Sequence, residues 1–339
     1  MTKLYLGYTL THEDCKIIVK RRGGIMKNLL PLIVLTLTVL LTTETSYGQQ
    51  DPMYSMYMFN GLSVNPAYAG SRDRVSMTAL YRHQWTGLEG APKTAVLVAH
   101  GPLLNDNLGI GLSIVSDNIS IFNTISITAS YAYRIKIKDH GRLALGMSAT
   151  FRNDRARWGN LTLQDETDVA FTEANQNVMS PNFGAGVYYQ SERFYVGVSV
   201  PHFLNNSLSE NVTVEGVSNT ARQWKHYFYT AGAIFKISNN VKIKPSVLFK
   251  QVQNAPFQAD LNVAFVLKEA LMLGVSYRTG DAVVGMLEYQ FKKGLRVGYA
   301  YDATLTELRN YSGGSHEILV GYEFMKKDAY LTPRRMSYF

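Results

Sequence analysis

The chain has 339 residues, of which 46% are hydrophobic and 12% aromatic, and it carries a net charge of +8 with a pI of about 9.3. Its one cysteine, Cys15, lies ahead of a secretory signal, which excludes disulfides, thiol chemistry and a lipid-acceptor cysteine from the mature region. The basic balance is no nucleic-acid footprint, because part of it belongs to the signal region and most of the rest alternates with apolar residues along strands.

In chain order, residues 1–25 precede a second methionine that opens a complete signal; they read as an over-extended start, with a cytosolic tail as the alternative. Residues 26–48 read as a signal peptide. Lys27 supplies the positive region, Leu29 to Leu41 the apolar run, and Ser46-Tyr47-Gly48 a small-residue cleavage site, so the mature chain is expected to start at Gln49. The apolar run, about thirteen residues, is too short for a spanning helix.

Residues 49–73 do not alternate. Turn residues at Asn60-Gly61 and Asn65-Pro66 sit between aromatics, the pattern of an ordered segment that inserts its rings into something. It is expected on the periplasmic side, docked either in the barrel's own mouth or in a partner.

From residue 74 to 324, apolar and polar residues trade places every second position. Between Ile125 and Lys138, Ile127, Ala129, Tyr131, Tyr133 and Ile135 face one way, and Thr128, Ser130, Arg134 and Lys136 the other. Segments of about nine to eleven residues, with Tyr and Phe near their ends and no apolar run of membrane-helix length, indicate an all-β fold: a transmembrane antiparallel up-and-down β-barrel of the outer-membrane type, with about fourteen strands. The strands are predicted near 74–85, 93–101, 107–116, 122–138, 141–155, 179–190, 192–200, 224–238, 241–251, 257–268, 270–278, 281–291, 294–302 and 315–324. Even-numbered connections such as Lys292-Lys293-Gly294 are tight, while the longest lie after odd-numbered strands, near 156–178, 201–223 and 303–314. Short turns belong on the periplasmic side of such barrels, which places both termini in the periplasm. Strand glycines such as Gly109, Gly111, Gly184, Gly186, Gly274 and Gly298 are expected on the inward or tightly curved face. Residues 325–339 form a basic tail with Lys326, Lys327, Arg334 and Arg335, either a solvated periplasmic tail or a contact with periplasmic machinery.

No catalytic constellation or cofactor motif emerges. The histidines after the signal are scattered over turns, strand ends and loops, and neither a close histidine pair nor a cysteine offers metal ligands, so no metal site is expected. The alternation turns inward Arg134, Lys136, Arg152, Lys236, Lys242, Lys244, Lys250, Arg278 and Arg296 against Asp260, Glu288, Glu317 and Glu323. Such a set either lines an anion-preferring pore or docking funnel, or neutralises itself through ion pairs that hold the wall and any plug.

The stretch Asp51-Pro52-Met53-Tyr54, then Phe59-Asn60-Gly61 and Asn65-Pro66-Ala67-Tyr68-Ala69-Gly70, followed by Tyr81-Arg82-His83-Gln84-Trp85 and Gly90-Ala91-Pro92-Lys93-Thr94, resembles the PorP/SprF family of Bacteroidetes. The resemblance covers essentially the whole mature chain, with the opening motif the specific part. It implies an outer-membrane accessory of type IX secretion and gliding motility, in contact with membrane lipid. Such a protein would hold a secreted adhesin or other cargo at the cell surface, or link surface structures to periplasmic secretion subunits. It implies no catalysis. Trp158, Phe171, Trp224 and Tyr311, on the outer loops, are candidate aromatic anchors for the partner. The alternative is a passive porin with a charged lumen.

Overall fold

The computed structural model describes residues 51–103, 106–137, 140–157, 176–206, 213–214, 217–218, 223–253 and 255–324. The proposed start, signal peptide and basic tail lie outside these residues, as do Trp158 and Phe171. Fourteen strands form the wall: β1 (Ser76–His83), β2 (Lys93–Leu103), β3 (Leu108–Ile119), β4 (Phe122–Ile137), β5 (Gly141–Ala156), β6 (Gln176–Gln190) and β7 (Phe194–Val200). They continue with β8 (His226–Ala233, extended by Phe235–Lys236), β9 (Val241–Val252), β10 (Gln258–Leu267), β11 (Leu271–Arg278), β12 (Ala282–Gln290), β13 (Leu295–Thr304) and β14 (Ser315–Glu323). Each pairs antiparallel with its sequence neighbour. The β1–β14 ladder, from Ser76 opposite Glu323 to His83 opposite His316, closes the cylinder, so no sheet edge faces lipid along it. A two-residue ladder, Thr213–Val214 with Val217–Ser218, stands apart in the β7–β8 connection.

The alternation in sequence becomes an inverted burial pattern. On β10, Asp260, Asn262, Ala264 and Val266 are buried inside, whereas Leu261, Val263 and Phe265 are exposed on the outer surface. The apolar face is the solvent-accessible one because its solvent is lipid. Tyr289 with Phe291 and Tyr322 with Phe324 pack edge to face near one end of the wall, in the position of an interfacial aromatic girdle. Among the described residues, no helix is long and apolar enough to cross a membrane.

The two ends differ. At one end the strands reverse in tight turns: Lys268 and Glu269 take φ of 49° and 55° to join β10 to β11, and Gly294 takes 90° between β12 and β13. Two successive positive φ values match the right-handed twist of a short hairpin. The other end carries the long connections. The wall is tallest at β4 and β5, each 16 residues, and lowest at the seven-residue β7.

Val263 faces lipid midway along β10. Val263→Arg is expected to destabilise the barrel by about 2–4 kcal/mol, the cost of a guanidinium near the bilayer midplane. Denaturant unfolding in liposomes measures this, and Asn262→Arg, on the opposite face, should not show the same lipid-thickness dependence.

Candidate functional site

Residues 51–73 fill the lumen. The segment starts at Asp51 in the long-loop half, beside Arg152 at 3.3 Å, and ends at the tight-turn rim, where Asp73 pairs with Arg134 at 2.5 Å and also with Arg142. It therefore lies within the wall, where a periplasmic segment at the mouth or in a partner was expected. Three short 3-10 turns, Tyr57–Phe59, Gly61–Ser63 and Pro66–Tyr68, coil it into a plug. The last is capped by Asn65, whose side chain accepts from the Ala67 amide at 2.9 Å, with Pro66 pre-set for the first position. Met56, Tyr57, Phe59, Leu62, Ala67, Tyr68 and Ala69 are all buried.

Glycines in the wall make room for it. A Cβ at Gly109 would collide with the Ala69 carbonyl oxygen, one at Gly146 with the Ala67 backbone, one at Gly186 with the Asn65 side chain and one at Gly298 with Met56. Their inward position is as expected, and what they accommodate is the plug: its backbone at Gly109 and Gly146, its side chains at Gly186 and Gly298. Asn65 also donates to the Val187 carbonyl at 3.0 Å, and Ser199 Oγ donates to the Val64 carbonyl at 2.7 Å, so the Asn-Pro turn of the motif is fixed to β6 and β7.

Charge holds the plug at both ends. In the long-loop half, Glu317 accepts from the backbone amides of Ser55 at 2.8 Å and Met56 at 2.7 Å and pairs with Arg82, its register partner on β1, at 3.1 Å. Asp302 pairs with Arg82 at 2.7 Å and Arg278 at 3.1 Å and accepts from Ser55 Oγ at 2.8 Å. Asp260 takes Arg278 at 3.0 Å and Lys250 at 3.1 Å. Near the tight-turn rim, Arg72 of the plug reaches Glu323 at 2.5 Å, and Arg296 stands 3.7 Å from Glu288 and 3.8 Å from Glu323. Of the charges turned inward by alternation, Arg134, Arg152, Lys244, Lys250, Asp260, Arg278, Glu288, Arg296, Glu317 and Glu323 are buried in the lumen. Lys136 and Lys236 are not: they sit at strand ends and are exposed at the tight-turn rim, while Lys242 is half-buried and paired with Glu269 at 2.6 Å.

The plug leaves a cavity of about 470 Å³ against β3, β4 and β5 in the long-loop half. Its wall carries a column of hydroxyls, including Ser126, Thr128, Ser130 and Thr150, with the charged Asp117, Arg152 and Asp154 toward one end; its plug side includes the apolar Leu62 and Val64. Thr128 and Thr150 bond each other across the register at 2.9 Å. Asp51 closes one end among His226 at 3.3 Å, Arg152 at 3.3 Å and His202 at 3.5 Å. Burial alone would raise the Asp51 carboxyl, but attraction to His226, His202 and Arg152 and a hydrogen bond from Gln223 override it and hold the group well below its ordinary 3.8. Burial likewise holds the His202 ring below its usual range, against the pull of Asp51. Arg152 is the fixed positive charge beside Asp51, at 3.3 Å. Trp224 is half-buried next to this cluster, and Tyr311 is 71% exposed in the β13–β14 loop, so the two described aromatic candidates do not share one surface. Among the described residues, no group of three His, Cys, Asp or Glu side chains could hold a metal ion. Sequence reasoning missed Ser55 and Glu317 as a fastening, since the contact spans 262 residues; the glycine spacing was the available signal.

Gly146→Leu should unseat the plug without dissolving the wall. The expected result is retained heat-modifiable mobility on gels together with trypsin cleavage at Arg72, which the wild type resists. The Asp51 contribution is present above its unfolded value near 4 and is lost as pH falls through the depressed folded value. Plug release, followed by the same cleavage assay with an acid-stable protease, should therefore begin only below about pH 4 and be absent as a pH-dependent step in Asp51→Asn.

No curated protein matches the chain. Among solved structures, it is similar to a Pseudomonas aeruginosa FadL homologue, at 13% identity over 83% of this chain and 96% of that one, with a TM-score of 0.44. It is also similar to the Acinetobacter baumannii outer membrane protein Omp33, at 10% identity over 74% and 98% with a TM-score of 0.43, and to the KdgM porin, at 11% over 74% and 99% with a TM-score of 0.37. The family described as type IX secretion system membrane protein PorP/SprF matches residues 46–322, nearly the whole plug and wall, and the chain belongs to that family.

Proposed function

We propose that this barrel is a sealed anchor: it holds a type IX secreted partner, such as an adhesin, at the cell surface through its long-loop end. The tight-turn end faces the periplasm and is the side available to secretion subunits. The observation that carries this reading is the pairing of a plugged lumen with a roomy cavity open toward the long loops. A wall whose buried charges are consumed in holding a plug is poorly suited to conduction, whereas a cavity with one hydroxyl face and one apolar face suits capture of a partner segment. Long loops on the outer side are the general habit of such barrels, and family membership supplies the secretion context. Tyr311, and Trp158 and Phe171 in the β5–β6 connection, would add aromatic contacts to the partner.

The rival is a passive porin, favoured by the number of charged inward residues. Planar-bilayer recording separates the two. The wild type should be silent and a variant lacking residues 51–73 should conduct; steady wild-type current would support the porin. Affinity purification under mild detergent should recover a large secreted protein with the wild type and lose it on Leu62→Glu, which places a carboxylate in the apolar side of the cavity. Recovery of the barrel alone would remove the anchoring reading.

A further inference from the structure

We propose that the tight-turn rim is a docking surface for an acidic protein segment, an inference that rests on the reading above that this end is offered to periplasmic partners. Lys136, Arg193, Lys236, Lys268, Lys292 and Lys293 all stand exposed here. Of the local carboxylates, Asp73 is committed to Arg134 and Arg142 and Glu269 to Lys242, which leaves the exposed Glu192 beside Arg193 against the six cations. At the opposite rim the signs interleave, with Lys93, Arg157 and Arg309 among Glu89, Asp281 and Glu307. Among the described residues, the exposed positive excess is therefore concentrated at one end.

Two features show that the excess is not what the local backbone requires. Lys236 lies directly opposite Lys242 in the ladder, a like-charge pair that Glu269 offsets on the Lys242 side only, at 2.6 Å. The β12–β13 turn demands only the positive φ of Gly294, yet both residues before it are lysines. Concentrated repulsion of this kind is relieved by an anionic partner, which gains long-range steering from it.

The placement favours protein over lipid. At the level of this rim, the positions that face lipid are apolar or aromatic: Phe194, Phe235, Ile237 and Phe291. The cations occupy turns or inward-alternating positions instead. Lys136 shares its face with buried Arg134, between outward Ile135 and Ile137, and so emerges at the mouth. A phospholipid-binding girdle would put its charges on the outward positions, where side chains reach headgroups.

The test uses full-length protein in phosphatidylcholine nanodiscs, with a fluorescent 16-residue polyglutamate peptide as probe. Lys268→Glu/Lys292→Glu/Lys293→Glu should lower peptide affinity at least tenfold, while Lys93→Glu/Arg309→Glu at the other rim should leave it within twofold. Heat-modifiable mobility confirms that both variants are folded. Flotation of the nanodiscs with phosphatidylglycerol vesicles should not change in the rim variant. Unaltered peptide affinity, or loss of vesicle association instead, would overturn the proposal. Separately, Lys293→Cys should react with a membrane-impermeant maleimide only after the outer membrane is permeabilised. Labelling in intact cells would overturn the orientation beneath the proposal, a failure distinguishable from an unaltered peptide affinity.

Discussion

Glu317 is fully buried, and two of the three donors around its carboxylate are backbone amides of the plug. A carboxylate inside a narrow barrel cannot remain ionised without such partners, and breaking a buried pair by removing one member costs about 3–5 kcal/mol. Wall and plug therefore stabilise each other, although the hydrogen-bonded cylinder itself closes through its own strands. The wall's charges need the plug's donors, and the plug, with no regular structure beyond three short turns, needs the wall's charges and glycines to define its path.

The same dependence explains why both surfaces of the wall are so strictly divided. Lipid outside demands that every outward position of β10 or β11 be apolar, and the plug inside demands small or charged groups facing inward. Gly109 and Gly146 are the limiting case: a methyl group would occupy space already filled by plug backbone. The ion pairs then cluster around Ser55 and Arg72 and at the two ends of the β3–β5 side, where Arg152 and Arg134 meet the plug, with hydroxyls along the stretch between them.

Much of this was legible in the chain. Period-two alternation and turn residues mark all fourteen strands, and terminal aromatics place the belt, because lipid imposes its rule on every strand independently. Alternation reports which side a residue faces but not how high it sits, which is why Lys136 and Lys236 were grouped with Arg134 although they stand outside the lumen. The plug escaped for a different reason. Its contacts, such as Ser55 with Glu317 or Asn65 with Val187, join residues more than a hundred positions apart, and no local periodicity encodes them. The motif from Asp51 to Gly70 signalled order; only the fold reveals that the order is complementary to the inside of its own barrel.

Both ends of the plug are fastened to the same strand. Ser55 and Met56 hold Glu317, and Arg72 holds Glu323, six residues farther along β14. At about 3.3 Å per residue, the two pins are roughly 20 Å apart along one strand. A pull along the barrel axis at the Asp51 end would meet the Ser55–Met56 pin first and the Arg72 pin after the coiled stretch between them, and each would pass into a strand that is itself laddered to β1 and β13 over its length. Fastenings placed in series mean that loss of the first leaves the second in place. The seal is thus mechanically suited to resist a pull from its long-loop end.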